Sequence, residues 1–348
     1  MKAAYTRYDL QFAFPAGTSR GVLTSKETYF IKVWNDDAPH IYGVGECALF
    51  RGLSADDRPD YERKLQEVCA GIDRLDSLDL TGWSSIRFGL ETALLDLRHG
   101  GVRRICPTPF YDGEQAIVIN GLIWMGDKAE MLRRIEEKLQ AGFRCIKLKI
   151  GAIDFNSELD LLAGIRSRYT SREVELRVDA NGAFTPENVR AHLDSLARYD
   201  IHSIEQPVRA GQWAAMADIC RDTPIPVALD EELIGVEDSA RKERLLDAIR
   251  PQYIVLKPSL VGGLSGASAW IEAAAARGIG WWVTSALESN VGLNAIAQWV
   301  SSLAVDMPQG LGTGCLYTNN IPSPLRQSGE ALRYDPAGEW NLSSLVWK

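Results

Sequence analysis

The stretch 145–258 decides the fold. It reads CIKLKIG at 145–151, VELRVDAN at 174–181, HSIEQP at 202–207, VALDEE at 227–232 and YIVLKP at 253–258. Each of these five short apolar runs carries an ionisable residue at or near its end: Lys147 and Lys149, Asp179, Glu205, Asp230 and Lys257. Packing gives apolar strands no reason to end on charge five times in succession. A barrel whose strand ends share one mouth does.

Working outward, the same rhythm continues on both sides. Upstream, AIVING at 116–121 reads as a strand and 127–141 as a helix. Inside the stretch, helices are expected at 155–168, from Thr185 and Pro186 to about 199, at 213–220 and at 241–249. Thr185 is a suitable cap there and Pro186 suits a first turn. Downstream come a helix at 266–277, a strand at 280–283, a helix at 293–301 and a short strand near 303–305. Strand and helix thus alternate into an α/β fold, a (β/α)7β TIM-like barrel over 113–316. The competing open sheet lacks its phosphate-binding signature, since neither GxGxxG nor GxxxxGK[ST] occurs at the required place.

The first 112 residues follow a different pattern. YTRYDLQF, ETYFIKVW and HIYGVGEC alternate as strands of an antiparallel meander, and 61–75 and 84–97 have helical spacing. This predicts an α+β domain at 1–112, with 317–348 returning to pack against it. A chain of 348 residues accommodates one large domain and a smaller one.

Composition narrows the function classes. The net charge of −8 is spread along the chain and argues against nucleic-acid binding. No run spans a bilayer and the N-terminus lacks a signal-like apolar segment, so no membrane association and a cytoplasmic location are expected. The six cysteines are scattered without a CxxC, which reads as reduced thiols rather than disulfides or a zinc site.

The charged strand ends carry the chemistry. Asp179, Glu205 and Asp230 lie 26 and 25 residues apart, one strand–helix unit each. Three carboxylates at one mouth repel one another and call for a proton or a cation. Oxygen-only ligation favours Mg²⁺, with Mn²⁺ a related choice. Glu231 stands beside Asp230 as an alternative third ligand. Lys147 and Lys149, two residues apart, share one strand face, and in a barrel that face is the interior. Together with Lys257 they suit removal of a proton α to a carboxylate while the cation holds the growing negative charge. Each residue alone has a plainer reading as a solvated loop or edge residue; the matching phase of all of them argues otherwise. None of His40, His99, His192 and His202 falls near the seventh strand end, so acid–base work falls to the lysines. Ser285, Glu288 and Ser289 in TSALESNVG, and Gly312 and Thr313 in GLGTG, are candidates for holding a second carboxylate of a small anionic dicarboxylate. Asn120, Arg20 and Phe50 are further substrate-side candidates, chosen on position. The plainer roles of Ser285, GLGTG and Asn120 are capping and tight turns.

Taken together, Lys147-Leu148-Lys149, RVDAN, IEQP, LDE and LKPS resemble, in order, the motifs of the enolase superfamily, and specifically its muconate-lactonizing-enzyme-like subgroup. The resemblance spans nearly the whole chain. It implies a capping domain over a barrel, Asp179, Glu205 and Asp230 as ligands of a divalent metal, and Lys149 and Lys257 on opposite sides of the substrate. AVDMPQG at 304–310 has only Asp306 where the dipeptide epimerases carry Asp-x-Asp, which disfavours epimerisation. The run Ser285–Ser289 followed by Gly292, and GLGTG, are similar to the o-succinylbenzoate synthase family, which implies dehydration. Racemisation of N-acyl amino acids on the same scaffold, and a non-catalytic metal-binding barrel, are the competing expectations. Oligomeric state is not legible.

Overall fold

Two sheets of opposite character divide the chain, in a computed structural model that describes residues 1–18 and 21–347. The first is an antiparallel meander of β1 (Lys2–Thr18), β2 (Gly21–Trp34) and β3 (Tyr42–Cys47). The helices α1 (Tyr61–Ala70) and α2 (Ser84–Arg98) cover it. The expected helix 61–75 is shorter, because Gly71 ends α1 and a 3-10 turn, Ile72–Ser77, follows. Helix α2 lies directly on β3 because both surfaces are small there. A Cβ on Gly43 would run into the Ala93 carbonyl, and one on Gly45 into the Gly89 carbonyl.

After β4 (Ile117–Val118) the chain winds as β5 (Gly121–Ile123), α3 (Lys128–Gln140), β6 (Cys145–Lys149), α4 (Phe155–Arg166), β7 (Glu175–Asp179), α5 (Val189–Leu196) and β8 (Ile201–Glu205). It continues as α6 (Trp213–Arg221), β9 (Val227–Leu229), α7 (Ser239–Ile249), β10 (Tyr253–Leu256), α8 (Gly263–Ala275), β11 (Gly280–Val283) and α9 (Asn290–Ser301). Strands β5 to β11 form one seven-stranded parallel sheet in sequence order. Their apolar faces pack under the helices in one large core that includes Ile146, Leu148, Leu176, Val178, Ile204, Leu229, Ile254 and Val283. Aspartates cap several of the helices: Asp127, Asp154 and Asp238 accept from the N–H groups of Glu130, Ser157 and Arg241.

Three further details of the sequence reading change. AIVING is not one strand: Ile117–Val118 pairs with β13 (Ala331–Tyr334), itself paired with β12 (Leu325–Ser328), and only Gly121–Ile123 joins the barrel. The eighth strand is not at 303–305, the exit of α9. The ring closes through Gln309 and Gly310, whose N–H groups donate to the Val118 and Val283 carbonyls at 2.9 and 2.8 Å. Thr185 does not cap α5: its own N–H donates to Asn188 Oδ1 at 2.9 Å, and this turn delays the helix to Val189.

The C-terminal segment lies across both parts. Ala13 N–H donates to the Leu316 carbonyl and Thr318 N–H to the Gln11 carbonyl, while Ile321 and Leu345 are buried with Phe30, Val44 and Val291. Carboxylates then stitch the capping sheet and helices to the barrel: Glu91 accepts from Leu264 N–H at 2.7 Å, and Glu237 from Gly82 N–H and the Ser84 hydroxyl at 3.0 and 2.8 Å. Among the described residues, no helix is long and apolar enough to cross a membrane.

Candidate active site

Strand register puts the charged ends at one level. Lys149 pairs with Asp179 across β6 and β7, and Asp179 with Glu205 across β7 and β8. Glu205 pairs with Ala228, so Asp230 emerges one residue past the end of β9. Alternation does the rest: Ile146, Leu148 and Ile150 point under the helices, and Lys147 and Lys149 point into the barrel.

There the lysines meet the carboxylates. Lys147 Nζ lies 2.5 Å from Glu205 Oε2 and 3.1 Å from Asp179 Oδ2. Lys149 Nζ donates to Asp179 Oδ2 at 3.0 Å and to Asn181 Oδ1 at 2.7 Å. Lys257 is ion-paired with Asp230. Asn181 also donates to Glu231 Oε1 at 3.0 Å, which links Lys149 to the fourth acid at the mouth. Burial alone would raise the Asp179 pKa, but the charges of Lys147, Lys149 and Lys257 hold it well below the usual carboxylate range. Glu205 goes the other way, pushed well above its ordinary value by burial and by the Asp179 charge. Burial disfavours the Lys147 ammonium, yet Asp179 and Glu205 outweigh it and push its pKa up to about 12. Lys257 is raised for the same reason: Asp230 and Glu205 overcome its burial.

Among the described residues, the side chains as they lie form no cluster of three carboxylates, histidines or cysteines arranged to hold an ion; each of the three strand-end acids is turned onto an ammonium instead. The donor set still fits a hard divalent cation. Asp179, Glu205 and Asp230 are buried at three adjacent strand ends. Among the described residues, Glu205 Oε1 is buried without a hydrogen-bond partner, which a site built only for ion pairs would not leave.

Above these groups opens a cavity that exposes Lys147, Lys149, Lys257, Asp179, Asn181 and Glu231 on its polar side. Its other walls are Phe50 and Leu53 from the capping part, Leu122 of β5 and Trp124 just after it, Thr284–Leu287 after β11, and Gly310, Gly312 and Thr313. Ser285 Oγ and Thr313 Oγ1 are 2.7 Å apart, tying the ends of the last two barrel positions together. Asn120 also lines the cavity, and its Oδ1 is buried with no hydrogen-bond partner among the described residues.

Of the residues singled out in the sequence, Asn120, Phe50, Ser285, Gly312 and Thr313 therefore line one cavity with the three lysines. Glu205 and Asp230 lie among the groups beneath it. Glu288 and Ser289 do not line it. Both are fully buried behind the wall, where Glu288 accepts from the Ser259 hydroxyl and Ala286 N–H, and Ser289 donates to Glu46. Their polar side chains are consumed in building the turn. Arg20 falls outside the described residues. No histidine lines the cavity; His202 packs beside Tyr253 and Trp282, and His192 stacks on Phe184. Asn181, Trp124 and Leu287 were not anticipated. Asn181 had a visible signal, two residues beyond Asp179 in RVDAN. Trp124 and Leu287 look like core residues in sequence and show their role only where the chain bends around the cavity.

Residues 130–314 match the family described as enolase C-terminal domain-like. The o-succinylbenzoate synthase of Desulfotalea psychrophila (strain LSv54 / DSM 12343) is 48% identical over 95% of this chain and 98% of its own length. The crystal structure of MenC from Desulfotalea psychrophila LSv54 superposes with a TM-score of 0.85 at 44% identity, over 96% of this chain and 99% of that one. A substrate-liganded L-Ala-D/L-Glu epimerase from Bacillus subtilis superposes with a TM-score of 0.80 over 98% of both chains; at 23% identity it shares the fold.

Proposed function

We propose that this chain, which belongs to the enolase superfamily, acts as an o-succinylbenzoate synthase, a lyase that removes water from 2-succinyl-6-hydroxy-2,4-cyclohexadiene-1-carboxylate to give 2-succinylbenzoate. The observation that carries this reading is the convergence of Lys149 and Lys257 on one cavity that also exposes Asp179, in a chain similar to such a synthase over nearly its whole length.

Asp179, Glu205 and Asp230 would hold the divalent cation, Mg²⁺ or Mn²⁺, which when bound supplies positive charge for the substrate carboxylate as the neighbouring carbon loses its proton. Lys149 takes the proton α to the carboxylate. It then returns that proton to the departing hydroxyl, so that one C–H and one C–O bond break, the ring becomes aromatic and water leaves. Lys257 stays an ammonium on the other side of the ring and balances the charge that develops there. Lys147, beside both Asp179 and Glu205, raises the local positive charge beside Lys149. Asn181 orients Lys149 through its side-chain oxygen. The Ser285–Thr313 pair and the unpartnered Asn120 oxygen offer polar groups to the rest of the dicarboxylate. Leu122, Trp124 and Leu287 keep water from the ring. The small dicarboxylate substrate and a cytoplasmic setting belong to the same proposal.

Racemisation of N-succinyl amino acids would use the same two lysines, each as acid or base on its own face. The deciding experiment assays wild type, Lys149→Ala and Lys257→Ala with both substrate types. Loss of a positioned general base predicts a fall in dehydration of about 10²–10⁴-fold for Lys149→Ala. Dehydration that survived Lys149→Ala would remove the assignment. A wild type that turned over N-succinyl amino acids and left the cyclohexadiene untouched would replace dehydration with racemisation.

A further inference from the structure

Leu287 holds a backbone conformation that leucine seldom adopts. Its φ is +62°, in the left-handed region, where a Cβ carries a steric cost that glycine avoids. It sits in the turn between β11 and α9 and its side chain lines the cavity. Strain of this kind persists where the surroundings over-determine it, and here they do. The Tyr317 hydroxyl donates to the Leu287 carbonyl at 2.7 Å. Ala286 N–H donates to Glu288 Oε2 at 2.7 Å, and the Ser259 hydroxyl holds the other Glu288 oxygen at 2.6 Å. The next residue is clamped from the other sheet. Ser289 donates its N–H and its hydroxyl to Glu46 at 3.0 and 2.6 Å, and Gly292 N–H donates to the same carboxylate at 3.0 Å.

Glu46 lies on β3, fully buried, and also accepts from the Thr28 hydroxyl at 2.9 Å. The buried Lys26 lies near both Glu46 and Glu288, and burial lowers its pKa. A carboxylate from the capping sheet therefore caps α9 and fixes the turn that carries a cavity wall. The wall itself is apolar, formed by Leu287 with Trp124 and Leu122. It suits a hydrocarbon ring, whereas the amide of an N-succinyl amino acid placed against it would lose hydrogen bonds to water without replacement.

We propose that Leu287 is a specificity-determining residue of this site, and that Glu46 is a positioning residue that acts through it; the inference rests on the dehydratase reading above. The test uses the full-length protein and the variants L287G, L287A, E46Q and E46Q/L287G. Melting temperature, affinity for 2-succinylbenzoate by tryptophan fluorescence, and kcat and KM with both substrate types are measured. L287G is expected to raise KM for the cyclohexadiene about tenfold or more, with a smaller change in kcat and a shift of preference toward N-succinyl amino acids. It is also expected to melt above L287A, since glycine accepts the backbone that alanine still strains. E46Q is expected to raise KM in the same direction and to add little on top of L287G, the non-additivity of two residues acting on one contact. Should E46Q fail to fold, S289A removes one donor to Glu46 and takes its place with a smaller effect in the same direction. Unchanged KM and preference in L287G would overturn the role of Leu287, and multiplicative effects in the double variant would reduce Glu46 to a domain anchor. A wild type that neither binds 2-succinylbenzoate nor dehydrates the cyclohexadiene overturns the functional reading and this inference with it, a result distinct from active wild type with indifferent variants.

Discussion

Replacing Lys147 by methionine tests how the carboxylates at the barrel mouth are held. The ammonium lies 2.5 Å from Glu205 and 3.1 Å from Asp179, and the three side chains are 9%, 2% and 1% exposed. Water therefore cannot take over from the lost partner. Methionine keeps most of the volume but leaves Glu205 without its ammonium beside Asp179, which Lys149 still holds, and removing one member of a buried ion pair costs about 3–5 kcal/mol. An unfolding entropy of about 2 cal/mol/K per residue, over a chain of 348 residues, turns that into a drop in Tm of roughly 4–7 °C. The assay is thermal unfolding after EDTA treatment, repeated with saturating Mg²⁺. In wild type a cation has to displace the Lys147 contacts to reach Glu205 and Asp179; in Lys147→Met it does not. Mg²⁺ is thus expected to raise the Tm of the variant more than that of wild type and to narrow the gap. An EDTA-treated gap within about 1 °C would refute the ion-pair argument. Equal Mg²⁺ shifts in both proteins would show that the cation binds elsewhere.

Three further outcomes follow from separate parts of the molecule. Lys257→Ala should lower dehydration by a smaller factor than Lys149→Ala, because an ammonium that balances charge is replaced more readily than the group that takes the proton; steady-state kinetics on the two variants check the order. Glu158 accepts from the N–H groups of Gly151, Ala152 and Ile153, and burial pushes its pKa up to about 7 against that of an ordinary glutamate. Its folded pKa lies above the unfolded one, so its contribution to stability is present at low pH and is lost as pH rises through about 7; the Tm of Glu158→Gln should gain on that of wild type between about pH 5 and pH 8. Gly45→Ala would push a methyl into the Gly89 carbonyl at the close approach of α2 to β3, and denaturant unfolding should show a loss of about 1–3 kcal/mol or more.

What the sequence discloses about this fold follows from how regular its local signals are. Between 145 and 258 each strand is an apolar run with a charged residue at or near its end, and from 145 to 301 strand and helix patterns alternate, so element type and order can be read residue by residue. The ring closure cannot. Its last position is carried by Gln309 and Gly310 through single bridges, and two residues leave no periodicity to read. AIVING fails for a different reason. It contains enough β-formers for one strand, but β13, more than 200 residues later, claims Ile117–Val118, and nothing local announces a distant partner.

The site divides along the same line. Lys147, Lys149, Asp179, Glu205, Asp230 and Lys257 were legible because a buried strand has one natural place for an ionisable residue, at the mouth. Glu288 and Ser289 show the limit of that logic. They sit beside Ser285, they are polar, and they follow the seventh strand, so chemistry alone puts them at the substrate. The backbone decides otherwise: Leu287 at φ +62° reverses the chain, turns an apolar side chain into the cavity and sends the two polar neighbours to Ser259 and Glu46. A left-handed leucine has no signature in a sequence, because its cost is met by contacts from β3 and from Tyr317, two elements far away in the chain. The charged half of this site was therefore written locally, and its apolar half was written in the tertiary contacts that bend the turn.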